Sequence, residues 1–315
     1  MGGNGLSAEH DNENLQVEVN GPTDKRHLLS GKYIVKMIPR FQLDPFDLQE
    51  LVDAYIENGF VLVEDVILPE EQEEIKTDLA KINRGDYSCQ VIDPIGWPLD
   101  DERLLGRYMY IGQPHAYSPT IRQYIAHSGL CQILDLIVGA TVPFWNGAYK
   151  CMQTMFVTKK PGGNGSPWHQ DEHPIPTRDR SLTGVWIPLS DTAIDNSCLW
   201  IIPDSHKSGV IYHRYSHNLP DVDSMTIARG FDDSSAIPVE MGAGSVLFFS
   251  GYLLHSSKKN LSKAYRPTLT IHYCTSTSWL SWQGELNYRG VVQVRGEDPY
   301  QAAGYISPRT WVKAE

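Results

Sequence analysis

Apolar residues recur at helical spacing in the first half of the chain. Residues 44–59 (DPFDLQELVDAYIENG) carry an apolar stripe that ends at Gly59, where a helix C-cap belongs. Residues 69–85 (PEEQEEIKTDLAKINRG) begin with proline and acidic residues, which favour the first turn of a helix. Both patterns predict amphipathic helices, and residues 118–139 predict one or two more. Residues 60–68 (FVLVEDVIL) predict a strand between the first two helices.

After Gly139 the pattern changes to short runs of β-branched and aromatic residues, separated by Gly, Pro, Asn and Asp. Runs of this kind predict antiparallel strands. They are 149–159 (YKCMQTMFVTK), 182–190 (LTGVWIPLS), 198–203 (CLWIIP), 244–251 (GSVLFFSG) and 267–276 (PTLTIHYCTS). Helices followed by such strands predict an α+β fold, in which N-terminal helices flank a double-stranded β-helix, the jelly-roll or cupin-like core.

The same pattern predicts how the chain divides. We expect a single domain over residues 37–276, with a helical front at 43–139 and the jelly-roll core at 140–276. Residues 1–36 are largely polar and aperiodic, which is typical of a mobile N-terminal tail. Residues 277–315 form a C-terminal extension that could cover a pocket or mediate association.

Composition restricts the classes of partner. The chain has 315 residues and a formal net charge of −11, which argues against nucleic acid because phosphate binding needs clustered Lys and Arg. Its five cysteines are scattered without a C-x-x-C motif, as in cytoplasmic proteins with reduced thiols. No signal-peptide pattern is visible, and no apolar run approaches the ~20 residues that span a bilayer. We therefore expect a cytoplasmic protein without membrane or nucleic-acid partners, as either a monomer or a homodimer.

Two metal-site patterns overlap in residues 166–176 (SPWHQDEHPIP). His169, Glu172 and His173 spell H-x-x-E-H, the zinc motif of inverted metallopeptidases, which places both histidines on one face of a helix. Prolines flank the motif on both sides and disfavour that helix. The zinc-hydrolase interpretation is therefore the weaker one.

The second pattern is the H-x-D pair of His169 and Asp171. In an extended backbone, residues two apart project to one face, so we expect these side chains to point together. With a third ligand they would form the two-His-one-carboxylate site of non-haem Fe(II) oxygenases. Further along, His255 follows an apolar strand, and Arg266 begins another strand, where its guanidinium could bind a carboxylate through two hydrogen bonds.

Three motifs together resemble the phytanoyl-CoA dioxygenase family of Fe(II)/2-oxoglutarate oxygenases, over roughly residues 43–276. The first is WHQDEH at 168–173. The second, NSCLWIIPDSH at 196–206, is similar to the family's N-G-C-L-x-x-x-P-G-S-H. The third is HSSKKN at 255–260 with its trailing arginine.

This resemblance implies Fe(II) bound by His169, Asp171 and His255, with 2-oxoglutarate as co-substrate and O2 as oxidant. It also implies that Arg266 pairs with the far carboxylate of 2-oxoglutarate. The resemblance also places three side chains near the co-substrate: Met155, Trp186 and Ser257. Gln153 is expected there too, because alternate residues of a strand share a face and it lies two positions before Met155. Halogenating relatives replace the carboxylate ligand, so its presence here favours hydroxylation or a related oxidation.

The implied activity is a dioxygenase that oxidises a C–H bond of a small-molecule metabolite and releases succinate and CO2. The acidic net charge gives no support for an acyl-CoA substrate. The family's upstream lysine contact has no clear counterpart in residues 104–117, where Arg107, Tyr108 or Tyr110 could replace it. The alternative is a catalytically silent jelly-roll binding protein. Candidate substrate contacts are Trp97, Tyr108, Tyr110, His173 and Arg214.

Overall fold

Capping residues set both ends of the first predicted helix. The computed structural model describes residues 38–43, 47–88, 92–223, 226–280 and 290–303, and the predicted tail at 1–36 lies outside them. The Asp47 carboxylate accepts hydrogen bonds from the backbone N–H groups of Gln49 and Glu50 at 2.8 and 3.0 Å, which begins the first helix. Gly59, with φ of 79°, ends it in the left-handed conformation.

Most helical residues of the described chain precede the main strands. Residues 118–139, predicted to form one or two helices, form two. The helices are α1 (Leu48–Asn58), α2 (Pro69–Arg84), α3 (Pro119–Tyr124), α4 (Ser128–Ile137) and the short α5 (Pro299–Ala302). Among the described residues no helix is long and apolar enough to cross a bilayer.

The strands follow the predicted runs, with several short additions. They are β1 (Arg40–Gln42), β2 (Phe60–Glu64), β3 (Tyr110–Gly112), β4 (Tyr149–Lys159), β5 (Thr183–Pro188), β6 (Leu199–Ile201), β7 (Arg214–Tyr215), β8 (Ile227–Ala228), β9 (Ile237–Val239), β10 (Val246–Ser250), β11 (His255–Ser257), β12 (Arg266–Thr275) and β13 (Val292–Arg295). Between α2 and α3 lie β3 and two 3₁₀ turns, at Glu102–Gly106 and Pro114–Ala116.

Two sheets of unequal size build the jelly-roll core. The major sheet has the order β1-β2-β10-β5-β12-β4-β13, and β3 also pairs with β4. The minor sheet has the order β11-β6-β9, and β7 and β8 form a separate two-stranded ribbon. Apart from β1 with β2, all paired strands are antiparallel. The chain therefore has the predicted α+β fold.

The two faces of the major sheet bury different partners. On the outer face, Val185 of β5 and Ile271 of β12 join a core cluster with helix residues such as Leu51 and Leu130. On the inner face, Trp186 of β5 packs with residues of the minor sheet. The inner face is therefore the interior of the jelly roll, where a site enclosed by both sheets would lie.

The C-terminal segment contributes a strand to the major sheet. β13 pairs with the start of β4, so that Val292 lies opposite Cys151 and Gln293 opposite Lys150. The sequence analysis did not predict this strand, because a run of only four residues (Val-Gln-Val-Arg) is too short to stand out, although it alternates apolar and polar residues. The proposed domain boundary at residue 276 stays a prediction, but the fold continues beyond it.

Candidate active site

Three ligand-type side chains converge inside the jelly roll. His169 and His255 lie opposite each other in a short antiparallel bridge, with backbone N···O distances of 3.0 and 3.1 Å. The Nε2 atoms of both rings lie 3.6 Å from Oδ1 of Asp171. One ligand atom from each residue lies within 4.8 Å of the others, a spacing that a single metal ion could bridge.

Backbone carbonyl groups hold the Nδ1 side of both imidazoles. Nδ1 of His169 lies 2.8 Å from the carbonyl oxygen of Pro167, and Nδ1 of His255 lies 2.9 Å from that of Leu253. A carbonyl oxygen only accepts, so each Nδ1 must donate, and Nε2 is the ring nitrogen that faces Asp171. Burial, with His255 beside it, lowers the pKa of His169 to about 4, so this ring is neutral at physiological pH.

Asp171 is oriented by a fourth side chain that the sequence analysis missed. His272 of β12 donates from Nε2 to Oδ2 of Asp171 at 2.9 Å, which leaves Oδ1 facing the two imidazoles. Burial alone would raise the pKa of Asp171, but the neighbouring His255 and His272 hold it below its ordinary value. Period-two counting along β12 from Arg266 would have placed His272 on the same face.

The motif that carries His169 and Asp171 is neither a helix nor a continuous strand. After the bridge at His169 the chain turns, with the N–H of His173 bonded to the carbonyl of Gln170 at 3.2 Å. The expectation of an extended backbone through Asp171 was therefore wrong. Pro174 and Pro176 lack the N–H groups that a strand would need to continue its ladder.

Arg266 lies on the inner face of the major sheet, fully enclosed. Its side chain is 2% exposed, Nη1 lies 3.4 Å from Oγ1 of Thr268, and the guanidinium carbon is 5.6 Å from the Trp186 ring centroid. Its Nε has no hydrogen-bond partner, and the described residues provide it with no carboxylate. Burial lowers its pKa to about 10, so it remains a cation at neutral pH. A buried cation without an acid is suited to bind an anionic ligand.

Comparison with known proteins decides the family. The family model "Phytanoyl-CoA dioxygenase (PhyH)" matches residues 55–268, which is more than half of the chain. The chain belongs to the phytanoyl-CoA dioxygenase family. The resemblance in the sequence motifs is thus confirmed.

Curated relatives of this family align with part of the chain. Phytanoyl-CoA dioxygenase of Arabidopsis thaliana is 35% identical over 126 residues, covering 40% of this chain and 44% of that protein. Phytanoyl-CoA dioxygenase domain-containing protein 1 of Rattus norvegicus is 32% identical over 164 residues, covering 50% and 54%. The chain thus spans about half the length of these relatives.

Solved structures share the fold at lower identity. The non-heme monooxygenase ThoJ, in its apo form, has a TM-score of 0.60 at 19% identity over 79% of this chain and 84% of that one. EctD from S. alaskensis has a TM-score of 0.57 at 16% identity over 75% and 79%. The epimerase SnoN, in complex with Fe3+, alpha ketoglutarate and nogalamycin RO, has a TM-score of 0.55 at 16% identity over 74% and 85%.

In this phytanoyl-CoA dioxygenase family member, three of the four residues expected near the co-substrate lie on the inner face of the sheet that carries Arg266, and Trp186 contacts its guanidinium. Gln153 and Met155 of β4 pair with His272 and Thr270 of β12, and Trp186 of β5 also pairs with Thr270, so these side chains share the inner face. Gln153 and Met155 are half-buried although β4 is a central strand, which indicates open space inside the jelly roll. Ser257 of β11 accepts a hydrogen bond from the Ser166 backbone at 3.0 Å.

The candidate substrate contacts are not all brought to this site. Tyr110 of β3 shares the inner face with Val157 of β4. Burial lowers the pKa values of His169 and His173, and the charge of Arg214 adds to this effect at both rings. Tyr108 instead packs against the outer core. Trp97 lies 4.2 Å from the guanidinium carbon of Arg103. His173 is exposed.

Glu172, the central acid of the H-x-x-E-H pattern, is engaged elsewhere. Its Oε1 accepts hydrogen bonds from the backbone N–H and the hydroxyl of Thr177, both at 2.6 Å. Burial raises its pKa to about 7. The converging ligand atoms come from His169, Asp171 and His255, and include neither Glu172 nor His173.

Proposed function

We propose that this chain is a non-haem Fe(II)- and 2-oxoglutarate-dependent dioxygenase that hydroxylates, or otherwise oxidises, a C–H bond of a small-molecule metabolite. The observation that carries the proposal is the convergence of two imidazole Nε2 atoms and one carboxylate oxygen on one point. The family and the names of its relatives support the same reaction class.

The donor set fits Fe(II). Two imidazoles and one carboxylate would occupy three positions of a metal ion and leave the remaining positions open. His169, Asp171 and His255 would hold the ion, and His272 would keep Oδ1 of Asp171 directed at it. Asp171 itself fills the ligand position that a halide would need, which favours hydroxylation over halogenation.

The enclosed cation fits the co-substrate. Arg266 would bind the far carboxylate of 2-oxoglutarate, and Trp186 and Met155 would shield the chain of the keto acid from water. When bound, Fe(II) and 2-oxoglutarate supply the oxidation, in which O2 is consumed and succinate and CO2 are released. The residues of the chain contribute orientation and exclusion of solvent.

The substrate would approach from the side of Gln153 and Arg214. Gln153 faces the interior from the strand position opposite His272, and Arg214 lies near His169. Nε and Nη2 of Arg214 donate hydrogen bonds to the carbonyl oxygen of Thr226, at 3.1 and 2.9 Å. These polar groups support a polar metabolite as the substrate.

An anaerobic titration tests the proposal. Addition of Fe(II) and then 2-oxoglutarate should produce the weak visible charge-transfer band of a chelated keto acid. His169→Ala or Asp171→Ala should abolish the band, because each removes one ligand. Glu172→Gln is the matched control, since its amide oxygen can still accept from Thr177, and it should keep the band.

The outcomes separate the competing functions. A zinc hydrolase would show no band and would depend on Glu172. A silent binding protein could show the band but would release no succinate with any member of a broad substrate panel. An enzyme should show both the band and substrate-dependent succinate release.

A further inference from the structure

A second buried cation lies beside Arg266. Lys159 of β4 is the strand partner of Arg266 of β12, and directly paired residues project to the same face. The side chain of Lys159 is 0% exposed. Its Nζ donates to Oγ of Ser166 at 3.0 Å and lies 3.7 Å from Oδ2 of Asp223.

The charges of this cluster do not balance. Charged groups that are removed from water are normally paired, because an unpaired buried charge is costly. Lys159 and Arg266 contribute two positive charges, and Asp223 contributes one negative charge. Oδ2 of Asp223 also accepts the Tyr110 hydroxyl, while Nε of Arg266 is left without a partner. The cluster therefore lacks one negative charge.

Hydrogen bonds connect Lys159 to the region where the co-substrate is expected. The Ser166 hydroxyl accepts a hydrogen bond from the Lys159 ammonium, and the Ser166 backbone N–H donates to Oγ of Ser257 at 3.0 Å. The Tyr110 hydroxyl lies 3.2 Å from the same Ser166 oxygen. Lys159, Tyr110, Ser257 and Arg266 thus surround one polar end of the jelly-roll interior.

We propose that Lys159 and Arg266 together bind the far carboxylate of the keto-acid co-substrate, and that Lys159 makes the pocket selective for a dicarboxylic keto acid. This inference rests on the proposed function. It assigns a positioning role to a residue of β4, whereas the sequence analysis looked for a replacement of the family's upstream lysine only in residues 104–117. The ligand carboxylate would supply the missing negative charge. Burial and the neighbouring Arg266 lower the pKa of Lys159 to about 8, and the ligand carboxylate would offset this effect.

A purely structural role for Lys159 is the alternative. In that case the ammonium serves only to hold Asp223 and the segment that carries it. Loss of Lys159 would then disturb the pocket for every keto acid. A keto acid without a far carboxylate separates the two roles, because 2-oxopentanoate has the same chain length and the same metal-chelating end as 2-oxoglutarate.

The experiment compares both keto acids on the Fe(II) protein under anaerobic conditions, with the charge-transfer band as the readout. Lys159→Gln should weaken 2-oxoglutarate binding about 10- to 100-fold, since it removes a charge-assisted contact, and leave 2-oxopentanoate binding within about twofold. Lys159→Met should behave in the same way. Lys159→Arg should keep much of the preference for the dicarboxylate.

Asp223→Asn is the matched control on the other side of the ion pair. It removes an acid but leaves both cations, so the preference for 2-oxoglutarate should be kept or increased. Equal weakening of both keto acids by the neutral Lys159 variants, or an unchanged ratio of the two affinities, would overturn the inference. Failure of the proposed function looks different, because the unmodified protein would then either form no band with either keto acid or form the band and release no succinate with any substrate.

Discussion

At the scale of single residues, the hydrogen bond from His272 to Asp171 is the contact that fixes the direction of this carboxylate, a proposed metal ligand. We expect His272→Leu to weaken Fe(II) binding about 10- to 100-fold, because the carboxylate would lose its orientation without losing its charge. The measurement is a competition of the apoprotein and a chelator for Fe(II), without co-substrate. His272→Gln, which can still donate from its amide, should recover part of the affinity. Unchanged binding in His272→Leu would show that the metal alone orients Asp171.

A second residue-scale prediction concerns pH. Burial and the adjacent Arg266 lower the pKa of Lys159 to about 8, so in the free protein its ammonium is lost as pH rises through that value. The other groups that face it are Arg266, Tyr110 and Asp223; the pKa of Arg266 is about 10, and burial raises that of Tyr110 well above its ordinary value. Both cations are therefore present below pH 8, and only Arg266 remains charged just above it.

The dissociation constant of 2-oxoglutarate should accordingly rise between about pH 7 and about pH 9.5, by about tenfold or more. That of 2-oxopentanoate should change little, and Lys159→Gln should remove the difference between the two profiles. Parallel profiles for the two keto acids in the unmodified protein would contradict a charged contact from Lys159.

At the scale of elements, close packing between β5 and β10 positions His255, a proposed metal ligand. A Cβ atom on Gly184 would lie 2.3 Å from Cζ of Phe249, whose ring centroid is 5.0 Å from that of His255. We expect Gly184→Ala to lower the free energy of unfolding by about 1–3 kcal/mol and to weaken metal binding, because the displaced ring would push against His255. Chemical denaturation and Fe(II) competition measure the two effects.

A compensating change tests the cause. Combining Gly184→Ala with Phe249→Leu makes room for the new methyl group and should restore much of the metal affinity, with Phe249→Leu alone as the control. If the double variant binds metal no better than Gly184→Ala, contact with the ring is not the reason for the loss.

The elements also show which features a sequence can predict. α1, α2, β4 and β12 carry their own signals, in caps or in long apolar runs, and the structure confirms them within a few residues. β3 and β11 have three residues each, and they exist because β4 and β6 supply their hydrogen bonds. The sequence analysis did not predict roles for His272 and Lys159 for a related reason. Only the folded structure brings His272 to Asp171 and pairs Lys159 with Arg266.

At the scale of the whole molecule, the C-terminal segment completes the major sheet beyond the predicted boundary. β13 covers the edge of β4 at Tyr149–Cys151. Asp298 lies 3.9 Å from Nζ of Lys150, a side chain only 1% exposed, and Gln293 donates to the hydroxyl of Ser276 at 2.6 Å. Residues 290–303 therefore bury a strand edge and compensate a buried charge.

Ending the chain at residue 276 should consequently destabilise the fold instead of releasing an intact domain. The edge of β4 would be open to pairing with other chains, and Lys150 would lose its acid. We expect the melting temperature to fall by more than about 5 °C and soluble aggregates to form, as measured by calorimetry and size-exclusion chromatography. Asp298→Asn in the full chain isolates the loss of charge and should lower the melting temperature by a smaller amount. Lys150→Met in the shortened chain removes the uncompensated cation and should recover part of the stability, whereas a shortened chain that melts like the full one would place the domain boundary at 276 after all.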